Sequence, residues 1–242
     1  MGSIISIANQ DILYRFRFPD TERYLRSFIR EGETRVTKNT VSVTEQEYSD
    51  WGNAGNKIDA FAEFCLLCQQ TSEYLLPFDK CIFHAVAISF ADHAWLISAG
   101  SGVGKSTLCK SLTDTYPEEI TVINGDKPAL HYEAEKGITV YPSPWNGKEG
   151  WHGADAAPLG GVFLLKRGME NTISNADERE AVMRIYQNVF QSYNNAVLMR
   201  AAGKMTENIM RSVPVWLLTT KQVPETRELV YRKLQEVRHS EL

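Results

Sequence analysis

The sequence predicts an α/β fold preceded by a small β-rich region, and three observations carry that expectation. From Cys81 onward, apolar and β-branched runs alternate with stretches of helical spacing. One of these runs, ending at Ile97, passes through a glycine-rich turn straight into a helical pattern that starts at Lys105. Residues 1–57 carry short strand-like runs between polar turns instead, so the predicted division is 1–57 for that region and 58–242 for the α/β unit.

Taken in order, "IISIA", "ILYRFRF" and "TVSVT" read as strands, with a helix over 21–30 between the second and third. Residues 51–57, "WGNAGNK", read as a connection, and 58–76 as a helix that stops before Pro77. "CIFHAVAISF" reads as one strand, joined by a turn at Ala91-Asp92 to its neighbour "HAWLISA". A helix is expected over 105–115, then strands at "EITVING", "GITVYPS" and "GVFLLKR". Residues 178–199 and 204–210 have helical spacing, "VPVWLLT" is a late strand, and 225–236 a terminal helix. The long unpatterned piece, 142–158, is rich in Gly, Pro and Trp, which suits an active-site loop better than a linker.

The chain has 242 residues and a formal net charge of -4 with both signs interspersed, so there is no basic stripe for nucleic acid. No apolar run has the length of a membrane span, and the expectation is a cytoplasmic protein with self-association left open. Cys65, Cys68, Cys81 and Cys109 fall within helix or strand patterns and read as core residues; Cys65-Leu66-Leu67-Cys68 has no second pair to complete a zinc site.

The segment Ala99-Gly100-Ser101-Gly102-Val103-Gly104-Lys105-Ser106-Thr107 fits the phosphate-binding pattern G-x-x-x-x-G-K-[ST], with Ala99 in the first glycine position. Glycines at this spacing let backbone N–H groups converge on a phosphate at a helix N-terminus. Lys105 would bridge the outer phosphates of ATP, and the Ser106 hydroxyl would face magnesium. Phosphoryl transfer also needs a carboxylate from another strand end, and Asp126 in "TVINGDKPAL" supplies it as metal ligand or base. His84, inside the strand beside the loop strand, is the histidine placed to join them. For the acceptor, the 142–158 loop offers Trp145 and Trp151 as apolar walls, Lys148 as a cation, and Ser143 and Asn146 as hydrogen-bonding groups. Arg167 and Arg200 are further phosphate candidates.

"FHAVAIS…AWLISAGSGVGKSTL", "VINGDKPAL" and "YPSPWNGKEG…APLGGVFLLKR" together resemble the HPr kinase/phosphorylase family and its shorter relatives, a P-loop group akin to ATP-dependent phosphoenolpyruvate carboxykinases. The resemblance spans 79–223, and its most specific feature is register: His84 stands fifteen residues before Ala99, as the family's active-site histidine does. It implies a P-loop kinase core of that type, with Lys105 and Ser106 as the phosphate and magnesium contacts. It also implies that His84 neighbours the reaction centre and that Asp126 is similar to one member of the family's Asp-Asp pair. This chain has Gly125-Asp126-Lys127 where the family has two adjacent carboxylates.

The expectation is therefore an ATP- and magnesium-dependent kinase acting on a serine of a protein or peptide. Its rival is a nucleotide-binding scaffold or regulatory ATPase without transfer. No N-K-x-D-type guanine-reading segment is apparent.

Overall fold

The computed structural model describes residues 2–30, 39–191 and 195–240. At the N-terminus, β1 (Gly2–Ile7) and β2 (Gln10–Arg15) form an antiparallel hairpin, and β3 (Thr40–Val41) adds in parallel to β2. The hairpin turns through Ala8 and Asn9, both at positive φ, the geometry that matches strand twist in a two-residue turn.

Three helices follow the hairpin in the chain: α1 (Thr21–Leu25), α2 (Glu45–Asn53) and α3 (Ala60–Leu75). Residues 51–57, expected as a connection, are helical as far as Asn53. The cause is a capping box, in which the Thr44 side chain accepts from the Glu47 amide while Glu47 reaches back to the Thr44 amide. Asp59 caps α3 by accepting from the amides of Phe61 and Ala62. Leu67, Cys68 and Leu75 of α3 pack with Ile5, Ile7, Ile12 and Tyr14, so a single core cluster crosses residue 57. Glu63, buried on α3, accepts hydrogen bonds from the amides of Arg17 and Phe18 and from the hydroxyls of Thr21 and Tyr48. That one carboxylate ties α1, α2 and the end of β2 to α3.

The larger part is a curled nine-stranded sheet. Its strands are β4 (Lys80–Ile82), β5 (Val86–Phe90), β6 (His93–Ser98), β7 (Thr121–Asn124), β8 (Ala129–Glu133), β9 (Gly137–Tyr141), β10 (Ala157–Arg167), β11 (Thr172–Asn175) and β12 (Val215–Thr220). The helices are α4 (Lys105–Thr115), α5 (Glu178–Asn188), α6 (Ala196–Ser212) and α7 (Val223–Ser240). Strand β10 organises the sheet. Its first residues pair antiparallel with β9, and its later ones run parallel to both β6 and β12. β5 and β7 extend the β6 side, β11 the β12 side, and β4 and β8 continue from β9.

Both faces are covered, which explains the near-continuous apolar strands. On one face Leu96, Val162 and Leu164 pack with Ala181, Ile185, Met205 and Ile209 of α5 and α6. On the other, Trp95, Ile97 and Phe163 pack with Leu108, Leu112, Val230 and Leu234 of α4 and α7. All four cysteines are free thiols, three of them buried.

The structure departs from the expected elements elsewhere too: the helix expected over 21–30 ends at Leu25 and runs into a short 3-10 turn, Arg26–Phe28. The strand over 81–90 is two strands, because the chain turns at Phe83–Ala85 so that β4 can pair with β8 and β5 with β7. β8 and β11, which carry mixed polar and apolar residues, are added: β8 lies between β4 and β9, and β11 forms an edge beside β12. The helix over 178–199 is α5 followed by α6, which begins on Asn195, whose side chain accepts from the Val197 and Leu198 amides; residues 192–194 lie outside the described residues.

Candidate functional site

Two passes of chain cross from one half of the sheet to the other at the same place. The Ala85 amide donates to the Asp126 carbonyl at 3.0 Å, and the Phe83 amide to the Pro128 carbonyl at 3.0 Å, so the breaks at 83–85 and 125–128 are stapled together. A third pass joins them: the His84 amide donates to the Asn188 carbonyl at 2.8 Å, and the Phe190 amide to the Ile82 carbonyl at 3.0 Å. Side chains at 84 and 126 thereby emerge from one corner, beside the loop that follows β6.

That loop, 99–104, joins β6 to α4 directly. Ala99 is buried, its methyl group in the core shared with α4. Gly102 and Gly104 have φ of 74° and 121°, where a side chain would be strained, and Gly104 is the N-cap of α4. Lys105 opens the helix and is buried. Its ammonium donates to the Ala99 carbonyl at 2.8 Å and lies 3.2 Å from His84 Nε2. Burial lowers the Lys105 pKa below the usual lysine range; the Asp126 charge opposes this and Lys127 adds to it.

His84 Nε2 also lies 3.3 Å from Asp126 Oδ1, while Asp126 Oδ2 is taken by the Lys127 ammonium. Burial alone would raise the Asp126 carboxyl. Hydrogen bonding from His84 and the Lys127 charge outweigh it and hold the group down at about 2. The Phe190 and His84 rings meet nearly at right angles, and the Lys127 ammonium stands over the Phe190 ring at 5.6 Å, a cation–π distance. Three sequence-predicted residues, Lys105, His84 and Asp126, therefore meet. Lys127 and Phe190 are additions that sequence reasoning missed.

The turn carrying Asp126 is fixed by Asn124, whose side-chain oxygen accepts from the amides of Asp126 at 3.0 Å and Lys127 at 2.7 Å. This is the side-chain-to-backbone turn that an Asn-Gly-Asp sequence signals. Between them, Gly125 has no room for a side chain: a Cβ would lie 2.4 Å from the Asn146 carbonyl oxygen and 3.2 Å from Trp151 Cβ. A second carboxylate next to Asp126 on this side is sterically excluded.

The 142–158 loop meets this turn, but not as an open wall of apolar groups. Trp145 is 3% exposed, stacks on Phe64 and donates its indole N–H to the Phe64 carbonyl at 2.8 Å. The expectation that it lines an acceptor site is corrected: its ring belongs to the N-terminal core. Ser143 is likewise buried, donating to the Lys127 carbonyl and accepting from the Trp145 amide. Trp151 packs at the margin of the α4 core, and its carbonyl accepts from the Gly125 amide at 2.9 Å. Asn146 faces His152 at 3.1 Å, and Lys148 is exposed.

Arg167, at the end of β10, donates to the Gly102 carbonyl at 3.0 Å, which places a guanidinium on the glycine loop; Arg200 is exposed on α6. A cleft of about 470 Å³ between α4 and the β7 edge is lined by Lys110, Asp114, Val122, Trp151 and Ala154, and by none of Lys105, His84 or Asp126.

Lys105 and Arg167 each bring a positive group to a carbonyl of the 99–104 loop, a charge arrangement that suits an anionic phosphate group. The residues of the site fit a magnesium ion less well. Ser106 is half-buried at the start of α4, but each Asp126 oxygen is already engaged, and no group of three or more His, Cys, Asp or Glu side chains able to hold a metal ion occurs among the described residues.

Fold and site together define a mixed α/β protein with a glycine-rich strand–loop–helix beside a His–Asp–Lys corner. Among solved structures the chain is similar to the HPr(Ser) kinase/phosphatase from Coxiella burnetii, at 11% identity and a TM-score of 0.35, over 66% of this chain and 97% of that one. No protein-family model matches, and no curated protein does. The reading of the site rests on its own residues.

Proposed function

We propose that the protein is an ATP-dependent phosphotransferase that passes the terminal phosphate to a hydroxyl, namely a serine side chain of a protein or peptide. The observation that carries this reading is the meeting of Lys105, His84 and Asp126, from three separate chain passes, at the mouth of a glycine loop. Loop amides from Gly100 to Ser106 and the Lys105 ammonium would hold the phosphates, and Arg167 would add positive charge at Gly102. As the acceptor oxygen bonds phosphorus, the bond to the ADP oxygen breaks and the hydroxyl proton passes to the Asp126–His84 pair. Asp126 is ionised at neutral pH, so it can accept a hydrogen bond from the acceptor hydroxyl and share its proton with His84 as the bond to phosphorus forms. Lys148, on the exposed loop, stands as the cation for the acceptor.

The test is transfer from labelled ATP to serine peptides, with Asp126→Asn beside the wild type. The variant should still bind ATP while transfer falls by about 10² or more, the scale of a lost general base. Undiminished transfer would sink the mechanism. The single acid in the site favours a second reading, a nucleotide-holding scaffold, and wild-type protein that binds ATP but labels no acceptor would establish it.

A further inference from the structure

Around Asp126 the charges are unusual for a site that handles a metal-bound triphosphate: one carboxylate pairs with the Lys127 ammonium and the His84 imidazole, and a second ammonium, Lys105, lies beyond that imidazole, 3.2 Å from His84 Nε2. Lys127 is not a stray surface lysine. Its side chain is 22% exposed, and its backbone is held at three points, the amide by the Asn124 side chain and the Trp145 carbonyl, the carbonyl by the Ser143 hydroxyl. This leaves the ammonium directed between Asp126 and the Phe190 ring. On its other side Gly125 excludes a second acid, so the turn cannot present the paired carboxylates that would draw a divalent ion away from Lys127.

We propose that the Lys127 ammonium is the fixed cation of this site, seated on Asp126 where a divalent ion would otherwise sit, and that it meets the triphosphate directly. The inference rests on the nucleotide reading above and adds to it: ATP binding depends only weakly on magnesium, because a built-in charge does part of the neutralisation. Lysine acts on phosphate as a point charge and needs no particular coordination geometry, which suits this role.

The experiment is calorimetric titration of ATP, once with magnesium and once with EDTA, into wild type and Lys127→Met. Wild type should bind in EDTA within about tenfold of its affinity with magnesium. Lys127→Met should lose about tenfold or more in EDTA, the scale of a hydrogen bond to a charged group, and lose less with magnesium present. Lys127→Gln, neutral yet able to donate to Asp126, should show the same loss and covers the case in which the methionine variant does not fold. Neutral variants that bind ATP in EDTA as tightly as wild type overturn the inference. Wild type that binds only with magnesium also overturns it and leaves the phosphate-loop reading standing; wild type that binds in neither arm overturns both.

Discussion

The Lys105 ammonium rests 3.2 Å from His84 Nε2. With the Ala99 carbonyl as its second partner, the lysine is folded back onto its own loop, buried and with its pKa lowered. An incoming phosphate would give the ammonium a charged partner in place of the Ala99 carbonyl, which is the stronger interaction.

Magnesium-ATP at a hundredfold excess over its dissociation constant should therefore stabilise wild type by about 2.7 kcal/mol, and Lys105→Ala should remove most of that gain. Thermal unfolding with and without ATP measures it. Equal stabilisation of both proteins would remove the loop from the phosphate reading.

Acid tests the Asp126 cluster independently of any ligand. The group titrates at about 2 in the fold against an ordinary 3.8, a depressed pKa, so its contribution is complete above the upper value and is lost as pH falls through the lower. The stability difference between wild type and Asp126→Asn should thus shrink by about 2 kcal/mol between pH 5 and pH 2. Urea unfolding at fixed pH values checks this, and a constant difference would show that the charge is not held in the fold.

Gly125→Ala should destabilise the protein by about 1–3 kcal/mol, the range for overpacking, because the new methyl group strikes the backbone oxygen of Asn146 rather than a side chain that can rotate away. Gly125→Asp should be at least as costly and should not create a carboxylate pair. Denaturant midpoints decide, and an unchanged midpoint for Gly125→Ala would mean that the 146–151 segment yields freely.

Glu63→Ala strips four donors of their acceptor in a buried setting and should cost about 3 kcal/mol or more. At this chain length that lowers the unfolding midpoint by roughly 6–12 °C. A shift within a degree or two would mean that water replaces the carboxylate.

The sequence was most legible where a local pattern determines the backbone. The 105–115 helix has the expected bounds, and the β5–β6 turn falls at Ala91-Asp92, because apolar periodicity and turn chemistry act over a few residues. His84 and Asp126 could be singled out one at a time, but not their common corner, which depends on the break between β4 and β5. A run apolar on both sides of His84 hides that break: Phe83 and Ala85 are as buried as the strands they separate. Lys127 gave no signal, since neighbouring residues in an extended chain point apart, and only the Asn124 turn brings its ammonium back to Asp126. Trp145 misled for a related reason. Tryptophan in a Gly- and Pro-rich loop reads as a binding wall, whereas its partner Phe64 lies on a helix 81 residues earlier.

Trp145 has two attachments that belong to different parts of the molecule. Its ring is lodged against Phe64 among N-terminal residues, while its carbonyl takes the Lys127 amide at 2.9 Å. A rigid indole with both ends occupied works as a lever: displacing the ring tilts the peptide that aims the Lys127 side chain. Changes at Phe64, or anything that presses on α3 from outside, will therefore be felt as changes in the electrostatics at Asp126, although no residue of α3 touches that carboxylate through a hydrogen bond or ion pair among the described residues.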